Sequence, residues 1–360
     1  MKSRAGFSLL EMMIGLTILI LVILASSAIL TQTTVGIRRA EIGTSSMELL
    51  RGGMQYFIPL LQTAGGNQVR SWVAIGLEDN PTTVRLGLPD GEGADRLTLI
   101  RLNTAVAPCE ITESWGLGSP TPKIRVRNTA GTCCIGAAQQ NQQAVFTRTF
   151  SNVYNYAPRY LKTFNALNCE MTIEELIQVP NLADLRVLPP ADVDPLSGFR
   201  DGWSTGFVTI VTVDTFFVDP STRELKRGID ADNDGTISAS EMTTVLDHVV
   251  DLQVAVGYDS NPADGRVVER TDPADRWNDE WLGNFDAADT RERRGAGGLA
   301  TALPSDMRAA QVGLIIGDRL VGNGTPTPLR ILNGPVRQIP GMSLHSQSTL
   351  VTLKNIFLFQ

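Results

Sequence analysis

Residues 2–30 read KSRAGFSLLEMMIGLTILILVILASSAIL. Two basic residues, Lys2 and Arg4, precede Gly6; Phe7 then opens an apolar stretch whose only charge is Glu11. Residues 12–30 carry no charge and match the roughly 20 apolar residues that cross a bilayer as a helix. A secretory signal has a shorter apolar core, about 7–15 residues, followed by a small-residue cleavage site. A lipoprotein anchor would need an early cysteine, and the first here is Cys109. A carboxylate inside such a stretch is costly unless something pairs with it, which makes Glu11 a functional candidate. Basic residues ahead of the span stay in the cytoplasm, so everything after residue 30 is expected on the far side.

Beyond the span the apolar pattern continues at helical spacing. Met47, Leu50, Met54, Phe57 and Leu61 recur at steps of three and four and form one stripe, with Arg38, Arg39, Glu41 and Glu48 off it. A single helix from Phe7 to about Gln62 would be about 84 Å long. Gly52, Gly53 and Pro59 should weaken or kink its far end, and Ala64-Gly65-Gly66 should stop it. The remainder reads as strands: Thr83–Leu88, Arg96–Leu102, Lys123–Val126, Gly206–Val213, Thr215–Val218, Leu252–Tyr258, Gln311–Ile316 and Leu350–Phe359. Residues 259–306, polar and carrying Trp277 and Trp281, read as a long surface excursion. A long helix followed by strands predicts an α+β fold with the helix lying across an antiparallel sheet.

The 360 residues carry a net charge of −7 with no basic cluster, which argues against nucleic-acid binding. Four cysteines (Cys109, Cys133, Cys134, Cys169) suit an oxidising compartment and permit two disulfides. A bridge between neighbours Cys133 and Cys134 would strain their peptide. Cys109 is therefore expected to pair with one of them and Cys169 with the other, in either order.

The N-terminal pattern resembles the type III signal of type IV pilins and pseudopilins. The resemblance implies cleavage between Gly6 and Phe7 by a prepilin peptidase, N-methylation of the new Phe7 amine, and Glu11 as the family's glutamate at mature position five. The resulting division is a leader (1–6), a transmembrane or filament-core helix (7–30), its amphipathic continuation (31–62) and a β-rich periplasmic head (63–360). Downstream, MELLRGGMQYFIPLLQTAGG (47–66), ADRLTLIRLN (94–103), TFFVDPSTRELKR (215–227), VVDLQVAVGYD (249–259) and LVTLKN (350–355) resemble, in order, segments of minor pilins of the PilW type. VVDLQVAVGYD is similar to their helix-to-strand passage. The partners so implied are other minor pilins, the major pilin and an inner-membrane assembly platform, in a complex that primes the pilus or sits at its tip. A type II secretion pseudopilin and a membrane-anchored calcium-binding adhesive module are the alternatives.

Residues 230–241, DADNDGTISASE, form a second motif. Hard calcium takes six to eight oxygens, and a twelve-residue loop supplies them from alternating positions. Asp230, Asp232 and Asp234 fill the first, third and fifth positions, and Gly235 makes the turn at the sixth. Thr236 offers its carbonyl at the seventh, Ser238 acts at the ninth, and Glu241 can chelate at the twelfth. Ile237, at the eighth, should point into the domain. Thr222–Arg227 reads as an entering strand and Met242–Val250 as an exiting helix, so a structural Ca2+ at a strand-to-helix corner is expected. Catalysis is not indicated. The only histidines are His248 and His345, and Ser343 beside His345 lacks an acid partner.

Overall fold

The computed structural model describes residues 9–64, 75–78, 88, 92–103, 105–115, 123–147, 159–175, 206–232, 236–258, 281–282, 307–319, 326–332 and 334–353. Helix α1 (Leu9–Thr63) is followed by antiparallel strands, the α+β arrangement expected of a pilin-like chain. The strands are β1 (Ile75–Glu78), β2 (Arg96–Leu102), β3 (Cys109–Trp115), β4 (Lys123–Val126), β5 (Asn128–Thr129) and β6 (Thr132–Cys133). They continue with β7 (Gln143–Thr147), β8 (Arg159–Asn165), β9 (Glu170–Glu175), β10 (Gly206–Asp219) and β11 (Glu224–Gly228). The last are β12 (Met242–Leu246), β13 (Val249–Tyr258), β14 (Trp281–Leu282), β15 (Met307–Arg319) and β16 (Met342–Thr352).

Two bodies share β10. Its C-terminal half lies between β2 on one edge and β11 on the other, and β1 and β12 extend that sheet. Its N-terminal half pairs β3 on one edge and β7 on the other, and the path β10-β3-β4-β9-β8-β7 returns to β10. This is a closed ring of six strands, every neighbour antiparallel. Inside it lie Cys109, Ile111, Ile124, Val126, Ala144, Leu161, Cys169, Met171, Val208 and Ile210, all buried. Each strand contributes one apolar residue or two at a spacing of two, enough to fill so narrow a barrel. A third sheet runs β14-β13-β15-β16. Asp95 ties it to the first, since its N–H donates to Leu252 O and its carboxylate accepts from Val254 N.

The helix stripe packs as its spacing predicts, with one exception. Leu50, Met54, Phe57 and Leu61 are buried against Leu97, Leu99, Phe216, Val254, Val312 and Leu314. The rings of Phe57 and Phe216 meet edge to face at 5.1 Å. Met47 is exposed, and the head-facing place in that turn is taken by its neighbour Ser46, which is buried. Gly52, Gly53 and Pro59 do not end the helix. A Cβ on Gly53 would lie 2.9 Å from Leu246 Cδ2 and 3.3 Å from Leu314 Cδ1, so this glycine is where the helix touches the head.

Several strands differ from the sequence reading. Gly206–Val213 and Thr215–Val218 are one strand, continuous through a buried Asp214. Met242–Val250 is not a helix: a single 3-10 turn (Ala239–Glu241) leads directly into β12 and then β13. Its β-branched residues (Thr243, Thr244, Val245, Val249, Val250) favour the extended state once a neighbouring strand offers a ladder. VVDLQVAVGYD is accordingly strand throughout its described length. Trp281, expected on a surface excursion, is buried against Ala255 and Ala309. Residues 83–87 and Trp277 lie outside the described residues, as do residues 354–360, which end the expected strand Leu350–Phe359.

Candidate functional site

The first candidate site is the N-terminal half of α1. Gly6 and Phe7 lie outside the described residues, and Glu11 falls in the first described turn of the helix. From Leu9 to Leu30 every large apolar side chain described is exposed, from Ile20 at 48% to Leu9 at 79%. The polar side chains here bond inward: Thr17, Thr31, Thr33 and Thr34 each donate to a carbonyl four residues back, and Ser27 to one three back. The segment therefore presents hydrocarbon on all sides, as a helix made for lipid or for other helices does. Head contacts begin further along, where buried Ser46 donates to Asp318.

The second is the acidic loop. β11 delivers the chain to Asp230, and the 3-10 turn presents Glu241 to the same point. Asp230, Asp232 and Glu241 each place a carboxylate oxygen within 4.8 Å of the others. The Glu241 carboxylate closes the loop. Its Oε1 accepts from Ala231 N at 2.7 Å and Asp232 N at 3.1 Å, and its Oε2 from Ser238 N and Ser238 Oγ at 2.8 Å each. Burial alone would raise its pKa, but the N–H groups of Ser238, Asp232 and Ala231 and the Ser238 hydroxyl outweigh it and hold the carboxyl below its ordinary value. Ile237 is buried with Leu88 and Phe217, as the eighth position requires. A Cβ on Gly228 would lie 2.7 Å from Ile237 Cγ2, so the glycine ending β11 makes room for that anchor. Ser238 caps the turn against Glu241 and Thr236 lies two residues before it, while Asp234 and Gly235 lie outside the described residues. Three carboxylates converging this closely, with the loop already shaped around Glu241, fit a hard oxygen-preferring cation.

The cysteines pair as Cys109–Cys134 and Cys133–Cys169, with Cα separations of 5.7 and 5.5 Å. Both bridges close on the barrel core, where Cys109 and Cys169 are buried. His248 stands in the β12–β13 turn at φ 64°, and His345 lies within reach of Ser343 Oγ at 3.3 Å. Sequence reasoning missed the barrel strands β3, β7, β8 and β9. Their one usable signal is a pair of apolar residues two apart, such as Cys109 and Ile111, which is too brief to stand out from a loop.

Residues 1–27 match the family model described as the prokaryotic N-terminal methylation motif. No curated protein matches the chain, and no solved structure does. The motif implies processing by a prepilin peptidase and assembly with other pilins, and with the bare apolar helix it points to membrane anchoring and pilus association. The chain is thus a type IV pilin- or pseudopilin-like protein, a structural rather than an enzymatic type by this motif.

Proposed function

We propose that the chain is a minor pilin of the PilW type, anchored in the inner membrane with its head in the periplasm and incorporated into a type IV pilus after leader cleavage. The observation that carries this reading is the union of the methylation motif with a helix whose first half is wholly apolar outside and whose second half is sunk in a folded head. Supporting it, ADRLTLIRLN contains β2, TFFVDPSTRELKR forms the β10–β11 hairpin, and LVTLKN begins on the end of β16.

Its action follows from the helix. Once Gly6–Phe7 is cut, Glu11 pairs with the methylated Phe7 amine of a neighbouring subunit, an attraction strengthened in low dielectric. The apolar halves then bundle in place of lipid, while the heads face outward as a priming or tip complex with other minor pilins. Ca2+ at Asp230, Asp232, Asp234, Thr236, Ser238 and Glu241 would offset carboxylate repulsion and fix the corner between β11 and β12.

The test is mass spectrometry of the N-terminal peptide from native membranes or sheared filaments. A chain starting at methylated Phe7 in the filament fraction is expected. A chain still starting at Met1 would make the span an ordinary anchor and end the filament reading.

A further inference from the structure

The head has two open sheet edges. β16 ends the sheet β14-β13-β15-β16, and β12 pairs with β11 alone. Among the described residues neither has a backbone partner on its outer side. An open edge is a template for another strand, and proteins usually blunt it with charge, proline, a bulge or brevity. β16 uses none of these. Its eleven residues contain no Asp, Glu, Lys, Arg, Pro or Gly, and they hold unbroken register with β15 from end to end. Leu350 stands 61% exposed on it. β12 is short and bulged but equally free of charge, and a groove of about 610 Å³ lies between it and α1. Ser45, Glu48, Leu49 and Gly52 form the helix wall, and a Cβ on Gly52 would meet nothing within 4 Å.

The two edges run in opposite directions along the helix. Ser46 donates to Asp318, and a Cβ on Gly53 would lie 3.3 Å from Leu314 Cδ1, so α1 advances as β15 recedes. β16 is antiparallel to β15 and therefore runs with the helix, from Ser343 opposite Asp318 to Thr352 opposite Ala309. β12 runs the other way. It ends at Leu246, and His248 just beyond accepts from Gly317 N, beside Asp318. Two chains anchored in one membrane carry their helices in the same direction, and a β16 pair across a two-fold axis would set them opposed. β12 of one copy beside β16 of the next is antiparallel with both helices aligned.

We propose that β16 of one copy adds to the β12 edge of a neighbouring copy, joining two heads through one continuous sheet. The inference rests on the reading above that all copies are anchored in one membrane with their heads on one side. β16 suits the groove it enters. Glu48 is the only charge lining that groove, and on the helix-facing side of β16 Gln347 offers it an amide donor while Thr349 is small and uncharged. The contact uses different surfaces on the two copies, so each assembled copy keeps one edge open for the next subunit.

Strand pairing has a signature that mere proximity lacks, because residues opposed across a ladder share a face. Leu225 faces the helix core, so Lys226 and Thr244 opposite it lie on the far face. On β16, His345 stands against Gly43 and Val351 is in the helix core, so Gln347 and Thr349 face α1 and Ser346, Ser348 and Leu350 face away. The experiment co-produces two differently tagged full-length copies in membranes, one Thr244→Cys and the other with a cysteine at one of those five β16 positions. The native cysteines are all bridged and do not compete. The best of Ser346→Cys, Ser348→Cys and Leu350→Cys should give disulfide-linked mixed dimers about fivefold above both Gln347→Cys and Thr349→Cys. Equal yields at all five positions, or none at any, would overturn the shared sheet. Dimers of Ser348→Cys without Thr244→Cys would overturn it in favour of a β16 pair, and capture of a different protein by Thr244→Cys would overturn the second copy as occupant. The N-terminus of the same samples separates this contact from the filament reading. Methylated Phe7 without cross-links strikes the strand contact alone, whereas cross-links between chains that start at Met1 keep the contact and strike the filament.

Discussion

Asp214, fully buried midway along β10, accepts two hydrogen bonds on Oδ1 from the guanidinium of Arg227, Nε at 2.9 Å and Nη2 at 2.5 Å. Its other oxygen takes Arg101 Nε at 2.5 Å, so one carboxylate joins β2 and β11 across the strand between them. Removing one partner of a buried pair leaves an uncompensated charge. Asp214→Ala should destabilise the head by about 3 kcal/mol, as the two arginines are partly exposed and recover some hydration. Urea unfolding of the full chain in detergent measures this, and a change under about 0.5 kcal/mol would deny the carboxylate its bridging role.

Gly53 sets how closely α1 approaches the head. Alanine there gains about 1 kcal/mol of helix propensity but pushes on the movable end of Leu246, so the two effects should nearly cancel. Valine also crowds Leu314 and should cost about 1–3 kcal/mol. Thermal melts of the two variants would separate crowding from propensity. A valine variant as stable as wild type would mean that the contact is loose.

Glu241 gives the acidic loop a pH dependence. Its folded-state pKa lies below the ordinary 4.5, so its contribution is present above the unfolded value and is lost as pH falls through the folded one. In calcium-free buffer the head should lose thermal stability progressively below about pH 4.5, and Glu241→Gln should flatten part of that decline. An unchanged profile in the variant would assign the acid sensitivity elsewhere.

The disulfides brace the barrel and not the helix-sheet core. Replacing Cys133 and Cys169 together by serine should cost about 2–4 kcal/mol. Because the barrel core and the head core share no buried residue among the described residues, the loss should be local. Hydrogen exchange should accelerate at Ile124, Leu161 and Met171 while Leu97 and Val254 keep their protection. Uniform acceleration would show that the two bodies unfold as one.

Glu11→Ala should leave a folded head that accumulates in the membrane and is absent from sheared filaments. Immunoblots of both fractions decide this, and normal incorporation would dismiss the pairing with the Phe7 amine.

The helix was legible because its signals are local and repeated. The first half is an unbroken apolar run, and the stripe from Leu50 to Leu61 needs only its own spacing to declare which face is buried. The acidic loop was legible because its carboxylates sit at fixed offsets within twelve residues, and Ile237 is buried, as its position predicts. Met242–Val250 misled because the helix following such a loop is a property of other chains. Here β11 offers a ladder to β12, and a ladder outweighs a weak helical preference.

Sequence alone determined the membrane-length apolar helix, the methylation motif, the head-facing stripe and the spacing of carboxylates in the acidic loop, all set by neighbours along the chain. It also limited the cysteines to two pairings. Tertiary structure chose Cys109 with Cys134 and Cys133 with Cys169, because the β5–β6 hairpin that follows β4 lies between the start of β3 and the residue leading into β9. It placed two bodies on one strand. Such pairings link residues tens of positions apart, and their energy comes from burying both partners at once, which no stretch of sequence expresses by itself.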